Sequence, residues 1–193
     1  MVGWRKTIRE FREKVKDSPE LVMLLDSLEK SLEKLEKEGL DPQIEITEGN
    51  GTTLTLSLNI EKFIKEAKKT SEKVIEAIRV NIPIPPTIRE VNGHRVLMVK
   101  LPEQTLQELV KDEVFVKKLE QVGSIIKDRI VIDLTELEMK VIEKGVMQIQ
   151  QSVEQALIMK DLLEAIAEPE RRVEWKSSTE IKGKRLLISL KIL

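Results

Sequence analysis

The sequence predicts an α+β fold in which three antiparallel β-hairpins form one or two sheets packed by long amphipathic helices. Three observations carry this expectation. Leucines recur at helical spacing between Leu21 and Leu35. Short alternating segments flank glycine-centred turns at Gly49-Asn50-Gly51, Asn92-Gly93 and Lys182-Gly183-Lys184. A long uninterrupted helical pattern follows Thr135. Period-2 and period-3.6 patterning, punctuated by Gly and Asn, is the primary signal for these elements.

Trp4, Ile8, Phe11 and Val15 form one apolar stripe of a first helix. Ser18 and Pro19 then provide an N-cap and a residue suited to the first helical position, where a missing N–H costs nothing. The second helix carries Leu21, Leu25, Leu28, Leu32 and Leu35 at the 4-3-4-3 steps of a coiled-coil seam, and Gly39 suits its C-cap. Ile44 and Ile46, then Leu54, Leu56 and Leu58, alternate with polar residues as a hairpin with one buried face. Asn59 caps a helix that runs to about Arg79. The extended stretch Ile82-Pro83-Ile84-Pro85-Pro86 separates an N-terminal half, residues 1–81, from a C-terminal half, residues 87–193.

The second half opens with a hairpin from Ile88 to Leu101 around Asn92-Gly93, a dipeptide that tolerates positive φ at both positions. A helix from Pro102 to Val122, with a break near Asp112, leads to a single strand from Arg129 to Leu134. Thr135 and Glu138 have the spacing of a capping box for a helix reaching Ala167, ~50 Å long. A last hairpin spans Val173 to Leu193. Behind the three turn glycines stand Leu54-x-Leu56-x-Leu58, Val96-x-Met98-x-Lys100 and Leu186-x-Ile188-x-Leu190. These read as half-buried strands after glycine turns rather than as copies of a ββα ancestor.

Composition removes whole classes of function. The 193 residues include no Cys, no Tyr and one His, which excludes disulfide scaffolds, thiolate zinc sites and histidine-rich metal centres. No apolar run approaches the ~20 residues of a membrane span, and the N-terminus lacks the apolar core of a signal peptide. The expected location is the cytoplasm. Lys (23) and Glu (27) dominate the charged set while Asn is rare (4), a bias that fits a hot habitat.

No catalytic constellation emerges, so the expectation is a non-enzymatic protein without cofactor or metal. His94, directly after a turn, reads as a solvated histidine, and no nucleophile elbow accompanies it. Gly49-Asn50-Gly51-Thr52-Thr53 joins two strands and opens no helix, so it is no phosphate cradle. Asp133, Glu136 and Glu138 cluster at a strand–helix junction, where capping already explains them.

Two features bear on partners. Residues 1–16 hold six basic against two acidic side chains and residues 171–193 seven against two, leaving residues 17–170 at −10 within a total of −1. Trp4, Arg5, Lys6, Arg9 and Arg12 at one end, with Arg171, Arg172, Trp175, Lys182, Lys184 and Arg185 at the other, are candidates for contact with nucleic acid or another anionic partner if the ends converge. The stretch from Gly145 to Val153 carries no charge, and Val146, Ile149, Val153 and Leu157 need cover on more than one side. Core packing, a subunit interface shared with Leu21, Leu25, Leu28, Leu32 and Leu35, or an apolar ligand could supply it. The functional expectation is an interaction or assembly protein, self-associating as a homo-oligomer. Nucleic-acid association and carriage of an apolar ligand are the alternatives.

Overall fold

The computed structural model describes residues 3–167 and 175–192. The described residues form an α+β fold of six helices and two antiparallel four-stranded sheets. The helices are α1 (Trp4–Lys14), α2 (Pro19–Lys37), α3 (Glu61–Asn81), α4 (Glu103–Lys111), α5 (Glu113–Val122) and α6 (Leu134–Ala167). The strands are β1 (Gln43–Gly49), β2 (Gly51–Asn59), β3 (Thr87–Val91), β4 (His94–Lys100), β5 (Ser124–Ile126), β6 (Arg129–Asp133), β7 (Trp175–Lys182) and β8 (Arg185–Ile192). No helix among the described residues is long and apolar enough to cross a membrane.

The chain divides into two compact units, one of residues 1–62 with 145–193 and one of residues 63–144. The connector Ile82–Pro86 lies within the second unit, between α3 and β3.

In the first unit the sheet order is β1-β2-β8-β7, so the last hairpin of the chain completes a sheet begun by the first. Leu54, Leu56 and Leu58 of β2 and Leu186, Ile188, Leu190 and Ile192 of β8 are buried on one face. The α1 stripe of Trp4, Ile8 and Phe11 is buried as its spacing predicts. Leu24, Leu25, Leu28, Leu32 and Leu35 of α2 and Val146, Ile149, Val153 and Leu157 of α6 are interior as well. Gly39, at φ 79°, ends α2, and Leu40 N–H donates to Leu35 O in the reversal that follows. Ser18 makes no capping bond to the backbone of α2; its Oγ donates to Glu20 Oε2.

The second unit has the order β3-β4-β6-β5. A fourth hairpin, β5–β6, replaces the single strand expected at Arg129–Leu134, so the three-hairpin expectation is one short. Its turn holds Lys127 at φ 57°, a conformation no Gly or Asn announces in the sequence. The helix expected from Pro102 to Val122 breaks at Asp112, whose Oδ1 accepts the Phe115 N–H and starts α5. The core holds Ile75, Ile78, Leu97, Val99, Leu119, Ile130, Ile132 and Leu134. The inward parity of β4 therefore belongs to Leu97 and Val99, not to Val96 and Met98 as the turn-based alignment expects. Pairing decides this, because Leu97 stands opposite Ile132 and Val99 opposite Ile130.

The start of α6 also departs from expectation. Asp133 Oδ1 accepts the Glu136 N–H and acts as the cap. Thr135 Oγ1 instead accepts the Arg95 N–H, and Glu138 Oε1 accepts from the buried Ser71 hydroxyl. The capping-box pair is thus recruited by neighbouring elements.

Candidate interaction surface

Strand alternation sends successive side chains to opposite faces, so each sheet has a second face away from its core. On the first sheet that face carries Thr53, Thr55 and Ser57 of β2 beside Lys191, Ser189 and Leu187 of β8. Such a hydroxyl-rich surface is what a solvated sheet face requires.

The second sheet differs. Its outer face centres on Val96 and Met98 of β4 and Val131 of β6; Met98 lies opposite Val131, and Val96 opposite Asp133. All three apolar side chains are half-buried, and none belongs to the core cluster. Val91 and Ile126 extend the patch at 48% and 54% exposure. Around it stand Arg89, opposite Val96, and the cross-strand pair Lys100 and Arg129. Arg129 Nε lies 3.7 Å from Asp128 in the adjoining turn. An apolar centre with a charged rim has the anatomy of a protein interface.

One corner of this face contains the chain's only imidazole. His94 Nδ1 lies 2.8 Å from Asp133 Oδ2. A carboxylate only accepts, so this bond puts the ring proton on Nδ1. His94 opens β4 after the turn, as expected, and is half-exposed; the sequence did not reveal that it is tied to β6 by a carboxylate that also caps α6. Beside Asp133 opens a cleft of about 270 Å³ lined in part by Glu120, Gly123, Ser124, Glu136 and Lys140. Of its carboxylates, Asp133 is bonded to His94 and Glu136 lies 3.3 Å from Lys140. Asp133, Glu136 and Glu138 thus serve three different partners and do not converge.

The basic N-terminal residues fall on α1, where most have acidic partners. Arg5 donates to both Glu36 oxygens at 3.0 and 2.6 Å and stacks over Trp4, 4.3 Å from the ring centroid. That contact holds the Glu36 carboxyl below its ordinary range, the hydrogen bond from Arg5 being the largest cause. Arg12 bridges Asp26 and Glu29, Lys6 lies 3.7 Å from Glu10, and Arg9 is exposed on the same helix. At the other end, Lys182 and Lys184 lie 3.8 and 3.3 Å from Glu180 and Glu61. Arg185 donates from Nε to Ser57 Oγ and from its terminal nitrogens to Ser57 O and to Asp41. Arg171, Arg172 and the Trp175 side chain lie outside the described residues. Trp4 itself is buried, so it offers no ring face to a base.

Of the residues expected to face a subunit or ligand, Leu25, Leu28, Leu32, Leu35, Val146, Ile149, Val153 and Leu157 are interior to the first unit, and Leu21 is half-buried. Sequence reasoning missed Val96, Met98 and Val131 as a surface because their parity depends on pairing with a hairpin it did not include. Comparison with known protein families, curated proteins and solved structures finds no match to this chain.

Proposed function

We propose that the protein is a non-catalytic interaction protein that docks a partner on the outer face of its second sheet. The observation that carries this reading is the contrast between the two sheets. Topologically equivalent faces carry one apolar side chain, Leu187, among Thr53, Thr55, Ser57, Ser189 and Lys191 in one case and a cluster of three, Val96, Met98 and Val131, in the other. Solvation alone gives no reason for the difference, whereas a contact surface does.

The rim supports one chemistry of partner. Arg89, Lys100 and Arg129 border the patch, and its own carboxylate Asp133 is taken by His94. The complementary surface is an apolar stripe flanked by carboxylates on another protein; a second copy of the same face would oppose like charges. The self-association expected from the sequence rested on apolar residues that, Leu21 apart, lie in the interior, so a second copy becomes an outcome of the test.

The test uses full-length protein and two fluorescent amphipathic helical peptides sharing a leucine stripe, one flanked by Glu and one by Lys. The Glu peptide binds at least tenfold more tightly, Met98→Lys abolishes binding without lowering Tm, and Arg89→Glu reverses the preference. Equal affinities, no binding at millimolar peptide, or a homodimer dispersed by Met98→Lys overturns the proposal.

A further inference from the structure

The described elements follow the order αα-ββ-α-ββ twice, once from α1 to β4 and once from α4 to β8. Under that division β1–β2 corresponds to β5–β6, and β3–β4 to β7–β8. Both sheets then have one construction: the first hairpin of one half joins the last hairpin of the other through their second strands.

The register supports the correspondence residue by residue. Leu58 pairs with Leu186, which pairs with Ile181 at the edge; Ile132 pairs with Leu97, which pairs with Ile88 at the edge. The two edge isoleucines are exposed to similar degrees, 45% and 41%. One step along, Ile44–Leu56–Ile188 matches Ile125–Ile130–Val99. β2 and β6 each then pass through a buried residue, Ile60 or Leu134, to a helix whose first turn is bonded by the residue before it. Asn59 accepts the Glu61 N–H and Asp133 the Glu136 N–H. Identical topology, matching core rows and capping side chains at equivalent positions do not follow from strand alternation alone.

We infer that the chain is two copies of one ααββαββ unit that exchange hairpins, and that each half, 1–101 and 102–193, is a specific binding partner for the other. The recognition surfaces are the β2–β8 and β4–β6 junctions, where unpaired backbone and an apolar row on each side meet their complement. The inference is independent of the docking face.

The test begins with the full chain carrying a protease site at Leu101–Pro102, cleaved after folding. The nicked protein keeps the mass and cooperative melt of the intact chain. Separated in denaturant, the pieces recombine one to one. The 1–101 piece alone forms a homodimer at least 100-fold weaker, because β4 presents to β2 the equivalent of β8. In the nicked protein, Ser57→Cys with Leu187→Cys, opposed across β2–β8 in a chain without native Cys, joins the pieces by a disulfide under native conditions. This second readout needs no refolding. Pieces that each melt cooperatively as monomers, a 1–101 piece monomeric at millimolar concentration, failure to recombine, or no disulfide overturns the inference.

Discussion

Ser71 Oγ donates to Glu138 Oε1 at 2.7 Å, joining α3 to α6 through the one buried polar side chain among the described residues. Arg95 approaches the same carboxylate oxygen at 3.5 Å. Replacing Ser71 by Ala leaves Glu138 with its arginine but removes the neutral donor. The expected loss is about 1 kcal/mol, a Tm decrease of about 2–4 °C by calorimetry. Glu138→Ala leaves the buried hydroxyl only the Lys68 carbonyl and also releases Arg95, so its decrease is larger.

The leucine series of α2 separates interior from surface. Leu32 is fully buried and Leu21 is not. Urea denaturation of Leu32→Ala shows a loss of about 2–5 kcal/mol, with less than about 1 kcal/mol for Leu21→Ala. Equal losses at the two positions would contradict the burial assignment.

Gly123 lets the chain pass from α5 into β5 against the backbone of β6. A Cβ there would stand 2.5 Å from Val131 O and 2.6 Å from Ile132 Cγ1. Gly123→Ala forces the strands apart and lowers unfolding free energy by about 1–3 kcal/mol. Gly39→Ala has open space around its Cβ, and its loss comes from the positive φ alone. Amide exchange distinguishes them, since only the Gly123 variant deprotects β5 and β6.

The Arg5–Glu36 contact makes a small part of stability depend on pH. The folded-state pKa of Glu36 is lowered, so its contribution is present above the unfolded carboxyl pKa and disappears as pH falls through the folded value. Both groups are exposed and screened by salt. In low salt, Glu36→Gln melts below wild type at pH 7, and the two curves converge in the acid range where Glu36 takes up its proton. A gap that persists unchanged at pH 2 would refute the assignment.

Much of this architecture was legible because local signals agreed with the fold. The Leu21–Leu35 spacing, the Asn92-Gly93 turn, the Asn59 cap and the Asp112 break each depend on a few adjacent residues. The β5 strand was not legible, since three residues are too few to show a period and Lys127 gives no turn signal. The inward parity of β4 and the outer patch of Val96, Met98 and Val131 were hidden for a related reason. Both are fixed by β6, more than thirty residues away in the chain. The partners of Asp133 and Thr135 likewise belong to the tertiary structure, because local capping chemistry cannot reveal that His94 and Arg95 approach.

The contact between Arg185 and Ser57 spans 128 residues and has a consequence for the growing chain. During synthesis β2 emerges with its inner row of leucines and one unpaired edge, and β8 is the last of the described strands to follow. Residues 63–144 hold all the strands of their own sheet by then, and can settle while the first sheet still waits. The nascent protein therefore carries an open apolar strand while residues 60–184 are being made. A message truncated before β7 would release a product that never closes it, and that product is where aggregation or chaperone capture is concentrated.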